Sequence, residues 1–265
     1  MHYFVWNADP VLFSFGPLQM HWYGLLFAIA ILLGLEFMKW VYRRENKDES
    51  TIEPLFFYAV VGIVIGARLG HVLFYDPSYY FSHPLKIFAV WEGGLASHGG
   101  GLGVLIALYY GSKKYKTDFL WLIERLVMPT ALFGFFVRMG NFMNSEILGK
   151  PSELPWAVVF QRVDMIPRHP VQLYEAFSYL LIFFVLTYIY KRYYKRVPKG
   201  FLFGLFLLFV FGARFLLEFV KVRQADYSLG IDLTTGQLLS IPFFIVGLGF
   251  ILWSYTKRAR VNTSD

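Results

Sequence analysis

Four arginines stand inside apolar runs of this 265-residue chain, at Arg68, Arg125, Arg138 and Arg214. A guanidinium near hydrocarbon is costly. Where one is kept it faces a bundle interior or a wet cavity and marks a candidate site. Arg138 leaves the run "TALFGFF" and is followed by "MGNFMNSEILG", which sets Asn141, Asn144, Glu146 and Gly149 at fixed intervals behind it. Planar, permanently charged guanidinium forks suit phosphate, so Arg138 and Arg214, on separate helices at similar depth, form a candidate clamp for one anionic group. Each also has a plainer reading. Arg138 can snorkel from a helix end, and Arg214 can form an intrahelical ion pair with Glu218, four residues on. Asn141 and Asn144 offer donors and acceptors to ester or glycerol oxygens, or equally cap a helix end.

His98 lies between two glycine clusters in "EGGLASHGGGLG" (92–103). An imidazole suits proton abstraction from a thiol near neutral pH; a structural histidine is the other reading. Glycines let a ligand or a neighbouring helix approach closely. No Gly-Lys-Ser/Thr follows them, which excludes a P-loop. Tyr23 in "HWYGLL" (21–26) belongs either to an interfacial aromatic belt or to the site. In "RHPVQLYE" (168–175), Pro170 reads as a helix start that puts Gln172 and Glu175 nearly one turn apart on one face.

The elements that must position these residues are membrane spans. The chain is 57% hydrophobic, 20% aromatic and only 16% charged, with mean hydropathy +0.48, whereas soluble domains carry about 25% charged residues. It reads as an all-α integral membrane protein, 1–265 forming a single polytopic domain. The amino-terminal residues lack a basic region, and Leu18 to Phe37 lacks a small-residue cleavage site, so no cleavable signal is expected. Cysteine is absent, which excludes disulfides, thiolate metal sites and a cysteine nucleophile; any reacting thiol belongs to a substrate. No Asp/His cluster has ligand spacing, so neither metal nor cofactor is expected. Nothing points to a nucleic-acid partner.

Seven spans of roughly 20 apolar residues are predicted, near 20–38, 55–75, 97–112, 119–138, 171–190, 201–220 and 237–256, the third weakened by Gly99, Gly100, Gly101 and Gly103. With the first connection cytoplasmic, inner segments hold 15 of the 25 Lys and Arg residues and outer segments hold six: Lys86, Lys150, Arg162, Arg168, Lys221 and Arg223. The positive-inside rule then puts the N-terminus outside, the C-terminus in the cytoplasm and 139–170 in an outward-facing head segment. Arg68, Arg138, Arg214, His98 and Tyr23 all fall at the outer-leaflet level. Arg125 is the exception. A transporter would use such charges too, but no repeated halves are visible.

The chain resembles the prolipoprotein diacylglyceryl transferases. The similarity runs through "HWYG", "GARLGHVLFY" (66–75), "WEGGLASHGGGLG" (91–103), "RMGNFMNSEILG" (138–149), "RHPVQLYE", "GARFLLEF" (212–219) and "GQLLSIP" (236–242), in that order. Val137 stands where the family usually has Gly, and Val210 where some members carry Tyr. The resemblance implies a multi-pass enzyme of the bacterial plasma (inner) membrane with its active site facing the outer leaflet. Its activity would move the diacylglyceryl group of phosphatidylglycerol to the lipobox cysteine of a preprolipoprotein, releasing glycerol phosphate. Arg138 and Arg214 would bind the lipid phosphate and stabilise the leaving group. His98 would assist deprotonation of the thiol and Tyr23 would help place it. Asn141, Glu146 and Gly149 would shape the headgroup site, with Glu218 orienting Arg214. Asn144 and Arg68 complete the expected substrate-binding set.

Overall fold

The computed structural model describes residues 2–16, 18–90, 93, 94, 96–222 and 233–262. Trp91 and Glu92 of the glycine-flanked stretch, and Arg223 of the outer basic set, lie outside the described residues, as do the side chains of Lys257, Arg258 and Arg260.

The described chain is mostly helical: α1 (Trp22–Arg44), α2 (Ile52–Phe74), the short α3 (Pro77–Ser82), α4 (Ser97–Lys114), α5 (Phe119–Met143), α6 (Val171–Tyr193), α7 (Phe201–Leu217) and α8 (Thr235–Asn262). Among the described residues, six helical segments are long and apolar enough to cross a membrane, at 22–44, 49–74, 119–143, 171–193, 201–220 and 235–256. The third expected span forms as α4 but is not one of the six. Its glycines and its closing Lys113 and Lys114 dilute its hydropathy. Helices also outrun the apolar segments that announced them: α1 continues to Arg44 and α5 to Met143. An apolar run measures hydrocarbon thickness, whereas backbone hydrogen bonding persists past it, and Arg43 and Arg44 favour the negative end of α1.

Short strands were not anticipated. Among the described residues β1 (Phe4–Trp6) pairs in parallel with β4 (Val158–Phe160), which pairs antiparallel with β5 (Pro167–Arg168). A hairpin joins β2 (Val11–Phe15) to β3 (Leu18–His21), with Gly16 at φ 58° where the chain reverses. Each strand is too short for a two-residue period to be read from sequence.

Contacts gather in two compact units, Met1–Phe37 with Ile123–Asp265, and Met38–Leu122. In the second unit α2 and α4 pack backbone to backbone. A Cβ on Gly66 would lie 2.8 Å from Gly103 Cα, one on Gly70 2.8 Å from Gly99 Cα, and one on Gly62 2.6 Å from Ala107 Cβ. Small residues every fourth position on both helices make this approach possible, the pattern expected where helices associate in lipid.

In the first unit the residues of α1 up to Phe37 pack along α5, with Phe27 edge-on to Phe133 at 4.9 Å and Gly34 against Pro129. The buried carboxylate of Glu124 accepts the Leu202 amide at 3.3 Å, closing the first turn of α7, which enters through Gly200 at φ 91°. A small apolar core of Phe142, Val158 and Phe160, joined by Trp6, Leu148 and Leu173, ties the three-stranded sheet to the end of α5. The Trp6 indole donates to Phe142 O at 3.1 Å.

Candidate active site

The string behind Arg138 is the end of α5 folding back on itself. Ser145 takes a left-handed φ of 56°, its amide donates to Phe142 O at 3.1 Å and the Glu146 amide donates to Asn141 O at 2.9 Å. That pair of bonds is a Schellman close, with serine in the position glycine usually fills. It brings Glu146 back over the last turn. There its carboxylate accepts from Asn141 Nδ2 at 3.1 Å and from Asn144 Nδ2 at 3.0 Å. Gln172 Nε2, fully buried on α6, donates to Glu146 O. Ile147 also has φ 55°. A β-branched residue there costs about 1–3 kcal/mol, and such strain clusters at functional sites.

Arg138 reaches from this turn in two directions. Its Nη1 donates to Asn141 Oδ1 at 3.2 Å, and its Nε lies 2.8 Å from Glu175 Oε2. The second contact is an ion pair without an aligned hydrogen bond, so that carboxylate oxygen is close to charge yet lacks a hydrogen-bond donor. Arg214, from α7, lies in electrostatic range of Tyr179, Glu175 and Glu218. Lys221 Nζ stands 3.6 Å from Glu175 Oε1 and 3.9 Å from Glu218 Oε2. Burial pushes the Lys221 ammonium below the usual lysine range, opposed by Glu175 and Glu218. Arg138 and Arg214, on α5 and α7, therefore converge, and they converge on a carboxylate from α6 that is only 2% exposed.

Tyr23, from α1, packs against the same turn of α5. A Cβ on Gly140 would lie 2.6 Å from the Tyr23 ring, so only glycine lets the phenol lie flat there, in electrostatic reach of Glu146 and Arg138. Gly149 has a packing duty as well. A Cβ would meet His169 Cβ at 2.6 Å and Val171 Cγ2 at 2.7 Å, and its carbonyl accepts from Arg168 Nη1 at 3.3 Å. On either side, Lys150 N donates to Val220 O and Val222 N to Leu148 O, stitching the segment to the stretch that carries Lys221. A cavity of about 280 Å³ opens beside it, lined by Ile147, Leu148, Arg168 and Val222. Among the described residues no three His, Asp or Glu side chains gather as metal ligands.

Two expected residues belong to the other unit. Arg68 is buried on α2 and gives its donors to backbone carbonyls of one loop: Ile87 at 2.8 Å, Gly93 at 2.6 Å, Gly94 at 3.1 Å and Lys86. It stacks over Tyr80 at 4.9 Å. These contacts tie Lys86, Ile87, Gly93 and Gly94 to α2 and engage all three guanidinium nitrogens. His98 is exposed on the first turn of α4, and among the described residues its ring makes no hydrogen bond. Gly99, Gly100 and Gly103 beside it serve the seam with α2, whereas Gly101 faces open space.

Sequence reasoning did not place Glu175, Tyr179, Lys221 or Gly140 in the site. Glu175 carried a signal, an ionisable residue within a span on the face shared with Gln172. Lys221 was counted as an outer-loop charge, and nothing local distinguishes it from one. Tyr179 and Gly140 gave none.

The sequence profile of prolipoprotein diacylglyceryl transferases matches residues 10–253. The phosphatidylglycerol–prolipoprotein diacylglyceryl transferase of Tolumonas auensis is 50% identical over 256 residues, covering 96% of this chain and 99% of that one. Its counterpart in Chloroherpeton thalassium is 47% identical over 99% of this chain and 98% of its own length. That of Bacteroides fragilis is 44% identical over 97% of each. With the similarity running through nearly its whole length, the chain belongs to the prolipoprotein diacylglyceryl transferase family.

Proposed function

We propose that this chain transfers the diacylglyceryl group of phosphatidylglycerol to the cysteine thiol of a prolipoprotein lipobox. A carbon–sulfur bond forms at the glycerol carbon bearing the phosphate, the carbon–oxygen bond to that phosphate breaks, and glycerol phosphate leaves with the electron pair. The thiol proton passes to a base, for which His98 is the candidate, with Tyr23 placing the acceptor. The observation that carries this reading is the meeting of Arg138 and Arg214, from separate helices, with Lys221 beside them. Charge grows on the departing phosphate oxygen, so cations already aimed there stabilise the transition state more than the ground state. Asn141, Asn144 and Glu146 offer amide and carboxylate groups to glycerol hydroxyls, and Glu218 orients Arg214.

The orientation proposed places the N-terminus outside, the C-terminus in the cytoplasm, α4 as the seventh crossing, and the site at the outer leaflet of a bacterial plasma membrane. The 15-to-6 division of basic residues supports it. Cysteines placed singly at the exposed positions Ser78 and Glu153 are expected to react with an impermeant thiol reagent from outside. Those at Ser50 and Lys116 are expected to react only once the membrane is opened, and the opposite pattern inverts the topology. The activity is tested by reconstituting the purified chain with phosphatidylglycerol and a lipobox peptide. Thioether product dependent on the peptide's cysteine supports the reading, and its absence overturns it.

A further inference from the structure

The proposed chemistry gives Glu175 no task, although it is the hub of the charged cluster. Its carboxylate touches Arg138 on one oxygen and Lys221 on the other, and it faces Arg214. Glu218 is the second carboxylate in direct range, of Lys221 and of Arg214. Glu146 is held one step away, bound by the amides of Asn141 and Asn144 and not by a cation. Three basic side chains thus meet two carboxylates, one elementary charge in excess when all five are ionised, with Lys221 within 4 Å of both carboxylates.

A phosphodiester carries one negative charge and brings this inner cluster to neutrality. A phosphomonoester carries nearly two at slightly alkaline pH, its second ionisation lying near pH 6, and leaves the cluster with a negative excess in a place poorly screened by water. Charge matching of this kind discriminates without any new contact, because like-charge excess costs steeply where the effective dielectric is low.

We propose that Glu175 is a positioning and specificity residue that sets the charge of the phosphate site, so that it accepts a singly charged phosphodiester headgroup and expels the doubly charged phosphomonoester product. It acts through Arg138 and Lys221 and need not touch the lipid. The inference rests on the transferase reading above and adds the reason why product does not remain in a site built of cations.

The test is calorimetric binding of two soluble probes to the purified full-length chain at pH 8: glycerol phosphate, a dianion, and glycerophosphoglycerol, a monoanionic diester. The readout is the ratio of the two Kd values, which uniform loosening of the fold does not move. Glu175→Gln is expected to shift that ratio about tenfold or more toward the dianion, given one elementary charge within a few ångströms. Lys221→Gln is expected to shift it in the opposite direction, which keeps the test decisive if Glu175→Gln alone is too unstable to purify. The Glu175→Gln/Lys221→Gln double variant restores the balance and is expected to return toward the wild-type ratio. An unchanged ratio in the single variants, or a wild-type chain that binds neither probe, overturns the inference. Failure of the functional reading is seen separately, as a wild-type chain that forms no thioether with phosphatidylglycerol and a lipobox peptide.

Discussion

The seam between α2 and α4 and the cluster shared by α5, α6 and α7 solve opposite problems with opposite residues. In the seam the side chains have been removed: glycines on both helices let backbones touch, and stability comes from close packing over a long contact. In the cluster the side chains are the most polar available, and Arg138, Glu175, Lys221, Glu218 and Arg214 offset one another's charge, save one positive charge, where water is scarce. The lesson is that the two regions fail differently. A change in the seam is expected to alter whether the fold forms, and a change in the cluster to alter what the folded protein does in addition to any loss of stability. His98 makes the contrast instructive, for it is a candidate catalytic group carried on the helix whose Gly99 and Gly103 form the seam.

The strongest way to test this division is Arg138→Ala or Arg214→Ala. Each removes a charge-assisted contact to the leaving phosphate, worth about 3 kcal/mol or roughly 10²- to 10³-fold in turnover. Lysine at either position is expected to rescue poorly, since an ammonium cannot form the planar fork. The measurement is thioether formation per folded molecule, and near-wild-type turnover in either alanine variant refutes the clamp. His98→Gln comes next. As base, His98 contributes about 10²-fold, because a thiol with its ordinary pKa near 8.5 is only a few per cent ionised at neutral pH. The variant's rate is then expected to climb between pH 7 and about 9.5 as the thiol ionises unaided. A rate that stays low and flat over that range removes His98 as base and passes the role to Tyr23 or solvent.

Gly66→Ala probes the seam itself. Its new methyl meets the backbone of Gly103 at 2.8 Å, and forced separation of the helices is expected to cost about 1–3 kcal/mol. The expected result is a lower melting temperature in detergent with transfer per folded molecule nearly intact, the reverse of the arginine variants. The smallest effect belongs to Asp164 and Arg168, at the head segment. The hydrogen bond from Arg168 holds the Asp164 carboxyl below the usual carboxylate range. A depressed pKa contributes stability that is complete above the unfolded value and is lost as pH falls through the folded one. Asp164→Asn is therefore expected to lower stability by less than about 1 kcal/mol at neutral pH. The difference from wild type should vanish in acid, as melting curves at several pH values would reveal.

What the sequence determined by itself was the membrane character, the approximate position of the long helices and the candidacy of Arg138 and Arg214. Hydropathy is a sum over consecutive residues, and a guanidinium within an apolar run is conspicuous without any partner in view. The "NSEILG" string was legible as a candidate site or a helix end, though not as a Schellman turn, since the left-handed φ falls on Ser145 and Ile147 and no glycine marks it. The purpose of the glycines around His98 was beyond reach as well, because a glycine preserves no record of what presses against it. Only the tertiary structure engaged Arg68 with the carbonyls of its loop, drew Lys221 out of an apparent outer connection into a buried ion pair, and made Glu175 the point where α5 and α6 meet the chain that follows α7. The physical reason is common to all three. A charge's role is fixed by which opposite charges and dipoles lie within a few ångströms, and those neighbours come from residues tens of positions away in the chain.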